Sequence, residues 1–294
     1  MNRTLLLPKL LVVSLNFHIN DYSLLTSVYG MKIDGIIGYS FFKRYVVKIN
    51  YDTQTIEVWE PGEMKIPKSG LLLRPVINNI PVFNADVADN TAISSRFYFD
   101  TGAGLCILLS EKFVKDSSIL KRGKKITVTQ AEGIGGKKPM KITTVKGVRI
   151  GPYKFRKVPA YVFDDEFNVT SYPSLGGLVG NDIFRRFNLI IDYGNRLIHL
   201  LPNTHFNDPF DYSYTGLGIY VVDGQVLVED VIEGSPAEKA GIQPDDIIVS
   251  VGTNFSGNIL AYRALLQVPG VRLKIVVKRK EELIMLNLKV ASIL

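Results

Sequence analysis

"FYFDTGAGLCILL", residues 97 to 109, sets one carboxylate, Asp100, into an otherwise apolar stretch. Phe97 to Phe99 read as the end of a strand, Asp-Thr-Gly-Ala as a tight loop, and Cys106 to Leu109 as a second strand-like run. A carboxylate in such surroundings is costly to bury unless it is paired or protonated. The tripeptide alone decides little, because Asp-x-Gly is also a common turn in which the aspartate caps its own backbone. The rest of the chain must say what Asp100 shares its site with.

Residues 33–58, "IDGIIGYSFFKRYVVKINYDTQTIEV", align without a gap with residues 175–200, "LGGLVGNDIFRRFNLIIDYGNRLIHL", at an offset of 142. Gly35 matches Gly177, Gly38 matches Gly180 and Phe42 matches Phe184. Arg44, Ile49, Tyr51 and Ile56 likewise match Arg186, Ile191, Tyr193 and Ile198. Two copies make a duplicated lobe and not a solenoid. Each copy reads as apolar-apolar-Gly, a short helical turn around a Phe, a strand, a tight turn and another strand. Taking the same offset from Asp100 puts the equivalent carboxylate of the first copy at −42, ahead of Met1. Residues 1 to about 62 therefore read as the back end of a lobe whose front end is missing.

A chain of 294 residues has room for two or three domains, and 46% hydrophobic against 21% charged residues is the balance of a folded protein. The net charge of +7 raises the question of nucleic acid. The basic residues, however, lie in short turn-like runs, Lys121 to Lys125 and Lys278 to Lys280, the latter followed at once by Glu281-Glu282. No groove-reading motif accompanies them, so no nucleic-acid partner is expected. The single cysteine, Cys106, allows no internal disulfide, and His18, His199 and His205 are too far apart for a zinc motif. No metal and no cofactor is expected. Serine-hydrolase, P-loop and dinucleotide fingerprints are missing. The N-terminal apolar run is broken by Pro8-Lys9 and then alternates through Val13, Leu15, Phe17 and Ile19, a strand pattern with no signal-peptide cleavage site. No run of 18 apolar residues offers a membrane span.

"FDTGAG" at 99–104, "EGIGG" at 132–136 and "GGLVGNDIF" at 176–184 occur in this order within one lobe. This trio, with the duplicated tail, resembles the retropepsin-like aspartic proteases over roughly residues 1 to 203. The resemblance implies mainly β structure with pepsin/retropepsin-like barrel lobes. It makes Asp100, with Thr101 and Gly102, one catalytic loop of a pair, and Gly133, Ile134, Gly135 and Gly136 the tip of a flap. It places Leu178-Val179-Gly180 beneath that loop and sends the Thr101 hydroxyl across to the opposite lobe. Gly104 departs from the family, which often has Ser, Thr or Asp there. Two carboxylates held close share one proton, so one acts as general base on water while the other polarises the scissile carbonyl. Asp34 is not the second carboxylate, since it aligns with Gly176, and reads as a surface turn residue; Cys106 reads as core.

After Pro202 the polar, aromatic-dotted "NTHFNDPFDYSY" reads as a linker. Residues 215–252, "TGLGIYVVDGQVLVEDVIEGSPAEKAGIQPDDIIVSVG", then resemble a PDZ domain of the bacterial protease-associated kind. Ser235 and Pro236 open a short helix that Gly241 ends, residues 262–267 suit a second helix, and 271–278 and 283–290 suit two last strands. The resemblance implies a small α+β barrel with two helices, and a loop of Gly216, Leu217, Gly218 and Ile219 that presents N–H groups to a terminal carboxylate.

The domains expected are 1–62, the back of a first protease lobe; 63–203, the second lobe; and 204–294, the PDZ domain. The function expected is an aspartic endopeptidase acting on a peptide or protein substrate, with a PDZ domain that binds C-terminal peptides. A missing lobe or a second copy is needed to complete the dyad, so this chain alone is expected to be inactive. The alternatives are a homodimeric retropepsin-type protease and a non-catalytic PDZ peptide-binding protein. The compartment is not readable from these residues. Relatives of this architecture are bacterial and often exported, but no signal peptide is visible in this chain.

Overall fold

The structure is a computed structural model that describes residues 2–8, 10–133, 136–163, 175–212 and 215–294. Its first elements are β1 (Asn2–Leu7), β2 (Leu10–Asn16), α1 (Ser23–Tyr29), α2 (Tyr39–Phe42), β3 (Val46–Asn50), β4 (Thr55–Trp59), β5 (Leu71–Leu73) and β6 (Val76–Asn78). There follow β7 (Ile80–Ala88), β8 (Ala92–Phe99), β9 (Ile107–Ser110), α3 (Glu111–Ser117), β10 (Thr127–Gly133), β11 (Gly136–Ile150), β12 (Tyr153–Phe163) and β13 (Leu175–Val179). The last are α4 (Asn181–Phe184), β14 (Phe187–Asp192), β15 (Leu197–Pro202), β16 (Leu217–Val222), β17 (Gln225–Val231), α5 (Pro236–Lys239), β18 (Ile247–Val251), α6 (Ile259–Leu266), β19 (Arg272–Arg279) and β20 (Glu282–Lys289). The chain is mainly β, as the family resemblance implies. It divides into one compact unit of residues 1–20, 36–124 and 144–210, and a second of 21–35, 125–143 and 211–294.

In the first unit the two copies of the repeat build one sheet, ordered β4-β3-β14-β15-β5. Strands β3 and β14 are antiparallel, with Ile49 opposite Leu189, Lys48 opposite Ile190 and Val47 opposite Ile191. Under the offset of 142, Ile49 maps onto Ile191 and Val47 onto Leu189, so the two outer pairs exchange. The copies are thus related by a local two-fold at Lys48–Ile190, the self-complementary arrangement expected of two like surfaces. Helices α2 and α4 occupy the same place in each copy. Arg44 donates to the Val13 and Ser14 carbonyls at 2.5 and 2.7 Å, while Arg186 donates to the Asp208 carbonyl at 2.5 Å.

The other sheet of this unit runs β11-β12-β9-β13-β8-β7, and β11 also pairs with β7, which closes a barrel. Phe97, Ile107, Leu109, Val179, Phe184 and Phe187 are fully buried in its core. Each such side chain contributes roughly 1.5–3 kcal/mol relative to leaving it in water. The N-terminal hairpin differs from its alternating reading. Val12 and Leu15 are buried and Val13 is exposed, because a bulge with Ser14 at φ 54° breaks the period of two. The stretch read as a linker also begins as part of this unit. The Phe206 ring packs 5.5 Å from those of Phe155 and Phe187, and Phe210 covers the Arg186 guanidinium at 4.0 Å. A buried arginine needs acceptors for its fork of donors, and the carbonyls of 205–209 supply them.

In the second unit an antiparallel sheet ordered β16-β17-β18-β19-β20 carries α5 and α6. Ser235 caps α5 by accepting the Glu238 N–H, and Pro236 stands in its first turn. Helix α6 starts three residues earlier than its predicted range because the Asn258 side chain accepts the N–H groups of Leu260 and Ala261. The second aspartate of Gln-Pro-Asp-Asp-Ile has a plain structural purpose. Asp246 is fully buried and takes a two-pronged bond from Arg279 at 2.7 and 2.8 Å.

Candidate active site and peptide groove

Strand β8 ends at Phe99 and delivers Asp100, whose own N–H is fixed to the Val179 carbonyl at 3.1 Å. Asp100 Oδ1 accepts the Gly102 N–H at 2.8 Å and the Ala103 N–H at 3.2 Å. Among the described residues no second carboxyl group shares those bonds. The loop is held from below by the start of α4. The N–H of Asn181 donates to the Ala103 carbonyl at 2.7 Å, that of Asp182 to Leu105 at 3.1 Å, and that of Gly180 to Cys106 at 3.0 Å. The free donors of a helix start are in this way satisfied by the loop itself. Strand β13 makes this possible by pairing in parallel with β8 and antiparallel with β9, so it runs between the two strands that the loop connects. A Cβ on Gly180 would overlap the Leu105 oxygen and come within 2.7 Å of the Ala103 oxygen, so only glycine fits.

Gly38, the counterpart of Gly180, has nothing described within 4 Å of such a Cβ. Segment 36–38 forms no strand, and Ile36 and Ile37 are 53% and 48% exposed. Thr101 is half-buried, and its hydroxyl has no partner among the described residues. At Gly104 a Cβ would meet nothing within 4 Å, so packing makes no demand for a side chain there. Asp34 is exposed and pairs with Lys32 at 2.5 Å, as a surface turn residue would.

Cys106 is buried and donates to Asp182 Oδ2 at 2.9 Å. Burial, then the neighbouring Asp182 charge, pushes its thiol well above the usual value of 9.0. Asp182 also pairs with Arg185 at 2.7 Å, and Arg185 reaches Asp208 at 3.3 Å. Sequence reasoning passed over the two tyrosines of the repeat as site residues. Tyr51 donates to Asn181 Oδ1 at 2.6 Å, and the Tyr193 ring stands edge-on to Tyr39 at 5.4 Å. Both phenols are pushed up to about 12 by burial; at Tyr193 the Tyr39 phenol and the Asp100 charge add to the rise. Their identity in both copies of the repeat was the available signal.

The hairpin proposed as a flap belongs to the second unit. Its strands β10 and β11 pair antiparallel down to Gly133 opposite Gly136, and Ile134 and Gly135 lie outside the described residues. In the same unit Gly216 takes φ +70°, where L-residues are strained, and its carbonyl accepts the Ile232 N–H at 2.9 Å. Leu217, Gly218 and Ile219 begin β16, an edge strand. A cavity of about 270 Å³ adjoins this loop, lined by Thr215, Gly216, Leu217 and Ile219 and by Asp211, Arg263, Leu266 and Gln267. Nothing in the sequence pointed to Arg263. A larger cavity of about 520 Å³ in the first unit lies beside Asp86, Ser94 and Arg149 and does not include Asp100. Among the described residues no group of His, Cys, Asp and Glu could hold a metal, and no helix is long and apolar enough to cross a membrane.

Residues 83–183 match the family described as aspartyl protease, and residues 227–279 match the PDZ domain family. Two curated relatives from Bacillus subtilis (strain 168) are similar in part. The carboxy-terminal processing protease CtpB is 38% identical over 63 residues, 20% of this chain and 13% of its own length. The carboxy-terminal processing protease CtpA is 46% identical over 48 residues, 16% of this chain and 10% of its own. The chain thus spans only about a tenth of the curated relatives it matches. Among solved structures, a retropepsin-like aspartic protease from Rickettsia conorii is similar at 19% identity and a TM-score of 0.34, covering 46% of this chain and all of its own. The chain thus carries an aspartyl-protease-like domain, whose matched residues include the Asp-Thr-Gly loop, followed toward its C-terminus by a PDZ domain.

Proposed function

We propose that this chain is the larger part of a bilobal aspartic endopeptidase, with Asp100 as one of two catalytic carboxylates and the PDZ domain as a binder of peptide C-termini. The observation that carries the reading is the support of the Asp100 loop, whose backbone is pinned by Val179, Gly180 and Asn181 while its carboxylate stays partly exposed. In the reaction the ionised carboxylate of the pair takes a proton from water as the water oxygen attacks the peptide carbonyl. The protonated partner gives its proton to the carbonyl oxygen. The two groups titrate as a pair. Gly133, Ile134, Gly135 and Gly136 close over the substrate, and Thr101 steadies the second loop. Gly216 to Ile219 receive a terminal carboxylate, and the peptide adds a strand to β16. In sequence we assign 1–62 and 63–203 to the two protease lobes and 204–294 to the PDZ domain, while in space residues 204–210 belong to the first compact unit and 21–35 and 125–143 to the second.

The second carboxylate comes from a front half-lobe that docks on segment 33–42 as the Asp100 loop docks on 175–184. The homodimer reading is disfavoured by the pairing of β14 with β3, which occupies the edge that a twin lobe would use. The test is peptide-bond hydrolysis of a fluorescent casein from acid to neutral pH. Residues 1–294 and a form extended in frame upstream of Met1 are compared, each with and without Asp100→Asn. Turnover by the extended form alone, abolished by Asp100→Asn, is the expected result. Asp100-dependent turnover by monomeric 1–294 would overturn the need for a second half. No turnover by an extended form that carries a second Asp-Thr-Gly would leave the PDZ domain as the working part.

A further inference from the structure

Between the edge strand β16 and helix α6, where the proposed function places a peptide, the chain has already set a segment of its own. Residues 21–35 cluster with the PDZ domain although they stand far from it in sequence. Helix α1 lies against β16. At its end Gly30, with φ +66°, wedges between the two walls. A Cβ there would overlap Ile259 Cγ2, on the first residue of α6, and come within 3.2 Å of Val221 Cγ2 on β16. Nearer the Gly216 loop, Arg263 of α6 donates to the Ile219 carbonyl at 2.8 Å, a backbone acceptor on the edge strand. The cavity beside Gly216, Leu217 and Leu266 remains open.

We infer that residues 21–35 are an internal gate on the PDZ groove, an inference that rests on the peptide-binding reading above. A peptide with its carboxylate at the Gly216 loop and its backbone along β16 passes Ile219 and then, two residues on, Val221. There it meets Gly30. Anything longer than a few residues displaces the gate, and the Arg263 bond to Ile219 opens with it. The gate is built to be displaced: α1 has seven residues and none of its side chains is fully buried, so little apolar surface holds it in place, although Asp21 accepts the Ser23 N–H at its start. Such segments sit at the low end of local stability. Since binding competes with docking, the apparent affinity falls by the fraction of molecules in which the groove is free.

The test uses the full chain, a fluorescein-labelled decapeptide ending in a free valine carboxylate, and its carboxamide as control. Fluorescence anisotropy gives the affinity of the native chain and of Gly30→Val, whose side chain cannot fit between Ile259 and Val221. About tenfold tighter binding by Gly30→Val is expected, with the carboxamide weak on both. Hydrogen exchange on the native chain supplies a reading that does not depend on the variant. The amides of Thr26 and Gly30, bonded to the Tyr22 and Thr26 carbonyls, should exchange faster when the decapeptide is bound. Peptide binding with unchanged affinity in Gly30→Val and unchanged exchange in α1 would overturn the gate and leave the peptide-binding reading intact. If α1 exchanges freely in Gly30→Val and still no peptide binds, the peptide-binding reading fails and the gate with it.

Discussion

The Tyr51 hydroxyl donates to Asn181 Oδ1 at 2.6 Å, across the boundary between the two copies of the repeat. By the offset of 142, Tyr51 is the counterpart of Tyr193 and Asn181 the counterpart of Tyr39. Tyr193 and Tyr39 meet edge to face at 5.4 Å. Each copy therefore reaches into the other with the same residue, and the second crossing lies where the Asp100 charge is felt. Removing the Tyr51 hydroxyl leaves the Asn181 acceptor half-buried and unpaired. Tyr51→Phe should lower stability by about 1 kcal/mol in urea unfolding, and a loss of under a few tenths would show the bond to be idle.

The same pair sets an alkaline limit. Both phenols are held near 12, against 10.0 for a free tyrosine. A raised value in the folded state contributes stability that is complete below pH 10.0 and is lost as the pH rises through about 12. Ultraviolet titration should show two phenolates appearing late and together with unfolding, and Tyr51→Phe should remove one of them.

Asp52 joins the turn of the first copy to the tail of the second. It accepts the Thr204 hydroxyl and N–H at 2.5 and 3.0 Å and the Asn188 amide at 2.7 Å. These bonds, the Thr204 hydroxyl first, hold its carboxyl below the usual 3.8. A depressed value contributes stability above pH 3.8 that disappears as the pH falls through the folded value. Asp52→Asn should therefore be less stable than the native chain at neutral pH and equal to it in strong acid, as read from thermal midpoints across pH.

Gly38 and Gly180 occupy the same position in the repeat but have different surroundings. A methyl at 180 strikes two carbonyls of the Asp100 loop, whereas at 38 it meets open space. Gly180→Ala should cost about 3 kcal/mol, and Gly38→Ala should be close to neutral in residues 1–294. In the extended form of the protein, Gly38→Ala should become as costly as Gly180→Ala. Equal tolerance there would mean that no second loop docks on the first copy.

The buried Cys106 thiol, pushed up by burial and by Asp182, should be slow to react with thiol reagents at about pH 8 and become reactive only on unfolding. Fast labelling of the native chain would contradict the packing of the Asp100 loop on α4.

The repeat, the Asp-Thr-Gly loop and the PDZ motif are legible in the sequence because each rests on local chemistry. Glycines mark where the backbone must turn or approach closely, Ser235 and Pro236 mark a helix start, and periods of two mark strands. The duplication itself was legible, but the symmetric pairing of β3 with β14 about Lys48–Ile190 came only from the structure. Three further things were not legible. The bulge at Ser14 depends on cross-strand pairing, which sets which side chains of the hairpin are buried. The packing of 205–210 depends on a buried Arg186 that needs acceptors from a distant part of the chain. The docking of residues 21–35 in the β16–α6 groove joins segments about two hundred residues apart, and no local pattern encodes such a contact. The residues by themselves determined which loop bears the Asp100 carboxylate and which glycine-rich loop opens the PDZ domain. Only the tertiary structure decided what each is packed against, because burial, acceptor supply and competition for a groove are properties of the whole fold.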